Sequence, residues 1–353
     1  MLLMRSSAVS FDQLFRLGEQ VRTRINFVWA SVVLLAIIAA GTQFVLLCPT
    51  AVAAAQPPKF AKIGILTDAM VPWHTSTEGF RDGLKQFGYT EGKNLAFEAR
   101  STQGDPSRLP KLSAELMALE LNLLFCVSDA CGKPTTQVPM VFTQVSDPVR
   151  LVLVESIARP GGNITGIANL RAELSAKRLE LFKDAVPSLR RVLITYDRRR
   201  IEEAEAVASA RDEAKRRGLT LLEQAITTPL EMEPGLGKFE EGGQDGILIV
   251  QSGTNLNIPG RSLQVATSNK IPTMYPASFW TQFGALASYG PDQYSQGRQA
   301  ARLAHRILTG TPAQELPVEL PDRIEYVINL KTANRIGLKI PPSVLYRASR
   351  VLK

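Results

Sequence analysis

The chain has 353 residues, of which 45% are hydrophobic and 21% are charged. This composition is typical of a globular protein of about two domains, and it excludes a disordered chain, a collagen-like chain and a polytopic membrane protein. The net charge of +8 is spread along the chain without a run of five basic residues, so a nucleic-acid partner is not expected. His74 and His305 are the only histidines, so a histidine-based metal site is not predicted. No cofactor is predicted either.

The amino-terminal end has the three parts of a secretory signal. Arg22 and Arg24 precede an almost wholly apolar segment, 27–47, and small residues in A-x-A spacing follow at 51–55. A secretory signal usually takes about 15–30 residues, so the excess length here suggests a translation start further along the chain. Residues 1–55 are therefore interpreted as a signal peptide.

Two other interpretations of this end remain open. The segment 27–47 is long enough to cross a bilayer as an uncleaved signal anchor. Cys48 leaves a lipoprotein signal open, although Leu47 before it is not the small residue that such a signal needs. In each interpretation the rest of the chain is exported, so we expect a periplasmic or cell-surface protein. The signal-anchor interpretation would also attach it to the membrane through 27–47.

The remaining two cysteines are separated by four residues. An exported compartment permits a disulfide between Cys126 and Cys131 if their Cβ atoms converge, and two buried thiols are the alternative. Two cysteines without a nearby histidine do not make a zinc site.

The rest of the chain alternates between short apolar strands and amphipathic helices. The first part predicts strands over 61–66, 95–99, 121–127, 139–142 and 164–167, with helices over 75–87, 109–119 and 148–157. The second part predicts helices over 172–185 and 202–217, with strands over 191–196, 219–222 and 246–250. This order is typical of parallel β-α-β units and occurs twice, so we expect two similar open α/β lobes.

The carboxyl-terminal part has a different pattern. It predicts a strand over 285–289, a helix over 293–308, a connector that contains Pro312, Pro317 and Pro321, and a strand over 325–328. A short helix over 330–336 follows, and Pro341–Pro342 begins a final helix because proline fits the first helical turn.

Signals of an enzyme are weak in this chain. There is no G-x-S-x-G sequence, so a nucleophile elbow is unsupported. The segment 88–94 has some features of a phosphate-binding loop, but its glycine spacing is one residue short and Asn94 replaces the Ser or Thr that would bind magnesium. We interpret it as a helix end and a turn, and no catalytic or metal-binding residue is predicted.

The stronger signal is the position of polar residues. Ligands of open α/β sheets lie outside the carboxyl ends of the strands, where helix N-termini also offer free N–H groups. Aromatic residues near these ends suit stacking on a flat ligand, and they suit packing within a lobe equally well. Asp147 equally suits a helix cap before Pro148. The candidate ligand-binding residues are Thr67, Asp68, Trp73, Ser128, Asp129, Ser146, Asp147, Tyr196, Asp197, Ser252, Tyr275, Phe279 and Tyr289.

An ordered set of short motifs runs through most of the chain. The motifs are Asp82-Gly83-Leu84 with 88–94, Gly104-Asp105-Pro106-x-Arg108-Leu109-Pro110, Ser146-Asp147-Pro148-Val149, 158–166, 288–292, 316–319, 327–333 and 337–343. Together they resemble the substrate-binding proteins of an ABC importer family with a type I periplasmic-binding-protein fold, over about 60–350. Any one motif is only a turn, whereas the ordered set is specific.

The resemblance implies the architecture and the type of function. It implies two open parallel-sheet, Rossmann-like lobes joined by three crossovers, near 166–168, 285–287 and 318–320. The first lobe would be 58–166 plus 287–318, and the second 167–286 plus 319–353. A small ligand would be held between the lobes and delivered to an ABC permease, and some relatives in this family bind aromatic amino acids. This chain departs from the family's usual pattern at 126–131 and 251–255, which puts the ligand's identity in doubt.

For an amino-acid-like ligand, the candidate residues have different predicted roles. Ser128, Ser146 and helix-end N–H groups would take its carboxylate. Asp129, Asp147 or Asp197 would take its ammonium. Trp73, Phe279 or Tyr289 would cover its side chain.

Two other functions remain as alternatives. A membrane-tethered ligand-sensing ectodomain would use the same cleft without feeding a transporter, and it would keep 27–47 on the mature protein. An exported enzyme would need a nucleophile–base pair, which the motifs do not supply. A cytoplasmic repressor would need a helix-turn-helix at the amino end, where this chain has a signal instead.

Overall fold

The computed structural model describes residues 60–128, 132, 137–169, 171–227, 231, 244–250, 263 and 266–353. These lie in the compact unit Pro57–Lys353. The predicted signal, 1–55, falls outside the described residues. Among those described, no helix is both long enough and apolar enough to cross a membrane.

The first lobe is built on a five-stranded parallel sheet of order β2-β1-β3-β4-β5. Its strands are β1 (Ala61–Thr67), β2 (Leu95–Ser101), β3 (Leu123–Val127), β4 (Met140–Val145) and β5 (Ile164–Ala168). Helices α1 (Thr75–Gln86) and α2 (Leu109–Met117) alternate with the first strands. β1, β3, β4 and β5 are almost wholly buried, which explains their continuous apolar sequences, because both faces of a parallel sheet are covered.

The second lobe is built on a seven-stranded sheet of order β12-β11-β10-β9-β8-β6-β7. Its first elements are α3 (Arg171–Ala185), β6 (Arg191–Asp197), α4 (Ile201–Arg217), β7 (Thr220–Ile226), β8 (Asp245–Ile249), β9 (Thr273–Tyr275) and α5 (Phe279–Gln282). β10 (Ala287–Pro291), β11 (Ile324–Asn329), α7 (Leu330–Arg335), α8 (Pro342–Arg347) and β12 (Arg350–Leu352) complete it. The sheet is mixed, because β10 and β11 pair antiparallel and its other pairs are parallel.

Helix α6 (Gln293–Leu308) returns the chain to the first lobe. Its buried residues Ala300, Leu303 and Ala304 share a hydrophobic cluster with Phe80 and Leu84 of α1. A 3-10 turn, Ala313–Glu315, follows before the chain crosses back.

The connections between the lobes lie close together. Ile167 and Glu319 form a parallel bridge, and the Glu319 carbonyl accepts a hydrogen bond of 2.8 Å from the Ala168 N–H. The segments 166–168 and 318–320, where two of the crossovers are predicted, thus run side by side. A sheet-like pair of connecting segments suits hinge motion of two lobes.

The third crossover lies later than the expected 285–287. β10 pairs with β9 and β11 of the second sheet, so 287–291 belongs with the second lobe and not with the first. The reason is main-chain pairing on both sides of this strand, which buries Ala287 and Ser288. Asp292 then caps α6, since its carboxylate accepts the N–H groups of Tyr294 and Ser295.

The helix predicted over 148–157 is also wrong. The segment forms turns, in which Asp147 Oδ1 accepts the N–H groups of Val149 and Arg150 at 3.1 and 3.0 Å. Val152 has a left-handed φ of 55°, which ends any helix at this point. Leu153 and Val154 still reach the core, so the apolar residues serve packing without a helical period.

Candidate functional site

A cavity of about 410 Å³ opens at the carboxyl ends of β1, β3 and β4 and is closed on its other side by α5 of the second lobe. Pockets for small ligands usually span about 300–1,000 Å³. The cavity therefore has room for a small molecule held by both lobes. Its described lining is Thr67, Asp68, Ala69, Val71, Trp73, His74, Thr75, Glu78, Val127, Gln144, Phe279, Trp280 and Gln293.

The end of β1 and the start of α1 supply a polar pair to this cavity, Thr67 and the half-buried His74. Thr67 Oγ1 lies 3.2 Å from His74 Nε2, and it also accepts the Ala69 N–H at 3.2 Å. The His74 N–H is held by Thr77 Oγ1 at 2.8 Å, at the start of α1. Burial lowers the pKa of His74 to about 4, so its imidazole is neutral at pH 7 and can both donate and accept a hydrogen bond.

Aromatic rings of both lobes form the apolar walls. Trp73 packs edge-on against Phe97 at 5.3 Å, and the Arg81 guanidinium lies 5.0 Å from the Trp73 ring centroid. In the second lobe, Phe279 packs edge-on against Trp280 at 5.6 Å, and Trp280 lies 5.2 Å from Tyr275. Phe279 remains 44% exposed although it is a large apolar residue. Such a pair of walls suits a flat apolar group.

Two strand ends beside the cavity have unusual backbone geometry. Ser128 after β3 has a φ of 107°, and Gln144 in β4 has a φ of 61°. Both residues are buried, and neither is a glycine. Positive φ values of this kind cost energy and concentrate at ligand sites, where they aim a peptide group or side chain. The register of β4 with β5 also shifts between Thr143 and Val145.

A cluster of charged side chains lies where the loop after β6 meets the end of β1. Asp197 is fully buried, and Arg199 holds its carboxylate with two hydrogen bonds of 2.8 and 2.6 Å. Glu203 Oε2 accepts the Asp197 N–H at 2.7 Å. Burial raises the pKa of Glu203 to about 7, against the opposing effect of that hydrogen bond. Asp197 and Glu203 are thus committed to partners within the second lobe.

Arg200 extends from this cluster toward the first lobe. Its Nη2 lies 3.8 Å from Oδ2 of Asp68, which lines the cavity. Only 10% of the Arg200 side chain is exposed. The cluster therefore brings a buried cation and a carboxylate together from opposite lobes.

The structure brings together four of the thirteen predicted residues as cavity lining, namely Thr67, Asp68, Trp73 and Phe279. Ser128 follows Val127 of the wall, and Tyr275 supports Trp280 from behind. These placements agree with the rule that ligands lie at the carboxyl ends of strands. A direct ligand contact by any of them is still a prediction.

Other predicted residues lie elsewhere. Ser146 and Asp147 line a second cavity of about 640 Å³ beside the hinge. Tyr196 and Tyr289 pack against the core of the second lobe, and Asp197 is held by Arg199. Asp129 and Ser252 fall outside the described residues.

Two lining residues, His74 and Gln144, and the nearby Arg200 were not singled out from the sequence. His74 was noted only as one of two histidines, and Gln144 only as the end of a strand, and neither was proposed as a ligand-binding residue. Arg200 counted only as part of a basic run, 198–200. The available signal was their position, because each follows a predicted strand at its carboxyl end.

Cys126 in β3 is disulfide-bonded, so it is not a free thiol. Its predicted partner, Cys131, falls outside the described residues. Among the residues that the structure describes, no group of three or more His, Cys, Asp or Glu side chains is placed to hold a metal ion.

Comparison with known proteins identifies the family. A sequence model of the family described as "ABC transporter substrate binding protein" matches residues 68–352. The chain belongs to this family. Because the match spans both lobes and the hinge, it includes every described cavity residue except Thr67.

Relatives of this substrate-binding protein include proteins of known ligand. A tyrosine-binding protein from Clostridioides difficile is 27% identical over 268 residues, which cover 74% of this chain and 76% of the relative. A conserved domain protein from Vibrio cholerae has a solved structure with a TM-score of 0.75 and 27% identity, covering 83% of this chain and 100% of that one. An ABC domain from Streptococcus pneumonia in complex with L-Trp has a TM-score of 0.73 and 24% identity, covering 83% and 100%, and it supports the fold.

Proposed function

We propose that this protein is the exported binding component of an ABC importer and that it carries an amino acid with an aromatic side chain. It acts as a binding protein, and the ligand leaves unchanged for a membrane permease. The observation that supports this proposal most directly is the cavity wall, where Trp73 of the first lobe and Phe279 and Trp280 of the second face one space. The tyrosine-binding relative supports the same ligand class.

The physics of such a carrier is hinge closure. A ligand that touches Trp73 on one lobe and Trp280 on the other makes its full set of contacts only when the lobes are together. Its binding energy therefore shifts the population toward the closed form, by as much as the two forms differ in affinity. Export places the cleft outside the cytoplasm, where the permease takes up its cargo.

The test is a binding screen of the purified protein by calorimetry and thermal unfolding. L-Tyrosine, L-tryptophan and L-phenylalanine should bind, and L-alanine, L-leucine and ribose should not. A ligand at about 100 times its Kd should add about 2.7 kcal/mol to the free energy of unfolding. Binding of leucine or ribose in preference to the aromatic amino acids would contradict the proposed ligand class.

A variant of the aromatic wall sharpens this test. Trp280→Ala should weaken binding of the aromatic amino acid by about tenfold or more, because it removes one ring that stacks on the ligand. Tyr346→Ala is the matched control, since Tyr346 is 92% exposed and lies in α8, away from the cavity lining. Equal affinities of these two variants would show that the ring binds elsewhere.

A further inference from the structure

The aromatic wall of the second lobe stands on a very short helix. α5 (Phe279–Gln282) carries Phe279 and Trp280 of the cavity lining, and it has only four residues. Within the described part of the chain, its N-cap residue, Ser278, forms no side-chain capping hydrogen bond. A single helical turn is not stable by itself in water, because fixing its backbone costs more than its few hydrogen bonds return. Other parts of the protein must therefore hold α5 in place.

This support comes from the junction between β11 and α7. Asn329 Nδ2 donates a hydrogen bond of 2.7 Å to the Thr281 carbonyl, and Thr332 Oγ1 donates one of 3.0 Å to the Gly284 carbonyl. The Asn329 N–H also donates to the Leu286 carbonyl at 2.8 Å. Asn329 and Thr332 are both buried, so water does not compete for these bonds. The junction thus fixes the chain from α5 almost to the start of β10.

Helix capping alone does not explain an asparagine at position 329. Asn329 is the N-cap residue of α7, and its Oδ1 accepts the Thr332 N–H at 3.0 Å. A cap needs only an acceptor, so Asp or Ser would serve about as well. An amide also offers a donor, which an ionised carboxylate lacks, and here this donor meets the Thr281 carbonyl. Asn329 therefore caps one helix and holds another.

The two side chains act on both ends of the short helix. Thr281 directly follows Trp280, and Gly284 ends the turn with a φ of 109°, a conformation that side chains rarely adopt. Neither Asn329 nor Thr332 belongs to the described lining of the cavity, so they reach it only through α5. Both residues lie in the 327–333 motif of the sequence. Supporting the aromatic wall gives this motif a role in the site.

We propose that Asn329 and Thr332 are positioning residues for ligand binding, which hold α5 so that Phe279 and Trp280 face the cavity. The inference rests on the proposed function, and it adds two residues that act through the wall without touching the ligand. Their loss should move the wall of the second lobe and leave Trp73 of the first lobe where it is.

Asn329→Asp separates the two roles of this residue. The carboxylate still accepts the Thr332 N–H and caps α7, but it cannot donate to the Thr281 carbonyl and places two acceptors against each other. Calorimetry should therefore show binding of L-tyrosine or L-tryptophan that is weaker by about tenfold or more. Asn334→Asp is the matched control, because Asn334 is an exposed asparagine of the same helix, and it should keep the affinity within about threefold.

Thr332 gives a second, independent pair of variants. Thr332→Val keeps the shape of the side chain and removes the hydroxyl that donates to the Gly284 carbonyl. It should weaken binding by about fivefold or more, and Thr332→Ser, which keeps the hydroxyl, should stay within about twofold of the unaltered protein. This pair also tests the inference if Asn329→Asp does not fold.

Tryptophan emission without ligand reports the position of the wall. In a Trp29→Phe/Trp73→Phe background, Trp280 is the only tryptophan. Asn329→Asp should shift its emission to longer wavelength and make it easier to quench with acrylamide, because the ring moves away from Tyr275, now at 5.2 Å. In the reciprocal Trp29→Phe/Trp280→Phe background, the emission of Trp73 should not change.

The outcomes distinguish this inference from the proposed function. If no aromatic amino acid binds the unaltered protein, the proposed function fails. If one binds and both Asn329→Asp and Thr332→Val bind it equally well, only the present inference is wrong. Weaker binding with an unshifted Trp280 emission would also overturn it, because the residues would not act through the wall. Equal shifts of Trp73 and Trp280 would mean that the two residues stabilise the whole fold, and the assignment would be wrong.

Discussion

At the scale of the residue, the lowered pKa of His74 makes the stability of the folded protein depend on pH. Burial lowers the pKa of His74 from 6.5 to about 4. The unfolded chain therefore takes up a proton at this residue below about pH 6.5, whereas the folded protein does not until about pH 4. The free energy of unfolding should fall as the pH falls through this window, and His74→Gln should remove up to about 3 kcal/mol of that fall.

Urea unfolding of the two proteins between pH 7 and pH 4 measures the difference. His305→Gln is the control, because His305 is the other histidine and lies far along the chain, stacked on Phe87 at 4.4 Å. Burial lowers the pKa of His305 as well, but less strongly, so this variant should change the slope less. Parallel curves for His74→Gln and the unaltered protein would show that the imidazole titrates normally.

The residues of the site were predictable to different degrees. Thr67 and Asp68 follow from one rule, that ligands lie at the carboxyl ends of parallel strands, and this rule needs only the strand's end point. Arg200 could not be found in this way. Three consecutive arginines follow Asp197, and the sequence does not tell which one turns inward. The fold decides it, because Arg199 turns back to Asp197 and leaves Arg200 to face Asp68.

At the scale of the element, the contact of α1 with α6 depends on glycine. A Cβ at Gly83 would lie 2.6 Å from Ala301 Cβ and 3.1 Å from Arg298 Cα, both on α6. At Gly79 a Cβ would meet the Tyr294 carbonyl. These glycines let the two helices approach more closely than alanine would permit.

Gly83→Ala should therefore destabilise the protein by about 1–3 kcal/mol, although alanine is the better helix former. Thermal or urea unfolding measures this loss. Lys85→Ala on the exposed face of α1 is the control and should stay within about 0.5 kcal/mol, since its ion pair with Asp82 is a surface pair. The double variant Gly83→Ala/Ala301→Gly should lose less than the sum of its single variants, and a fully additive loss would contradict the steric explanation.

The sequence predicted best those elements whose apolar residues follow a clear helical period. The apolar spacing of α6 predicted 293–308, and the structure has Gln293–Leu308. The segment 148–157 was predicted as a helix because its apolar residues are dense and Asp147-Pro148 resembles a cap. Val149 and Val152 are exposed there, whereas Leu153 and Val154 are buried, so the segment has no helical face. β10 was predicted as a strand, but its lobe depends on long-range pairing with β9 and β11, which local sequence does not encode.

At the scale of the whole molecule, the hinge and the two tryptophans of the cavity predict a measurable closure. The lobes are joined through the paired segments at Ile167 and Glu319 and through the link into α6. Arg150 of the first lobe also forms an ion pair with Glu205 of the second, with 43% of each side chain exposed. An exposed pair is worth about 0–1 kcal/mol, so it adds little to closure. Under the proposed function, the ligand should supply most of the driving force.

Closure should appear in intrinsic fluorescence and in the radius of gyration. Trp73 and Trp280 line the cavity from opposite lobes, so a bound aromatic amino acid should change the emission of both. Trp73→Phe and Trp280→Phe should each keep only part of the signal, and Arg150→Gln should leave the Kd within about fivefold, because a surface pair is worth at most about 1 kcal/mol. Small-angle X-ray scattering with the same ligand should show a smaller radius of gyration, and L-alanine should change neither quantity. A fluorescence change at a constant radius of gyration would mean that the ligand binds one lobe without closing the hinge, because only a ligand held by both walls draws them together.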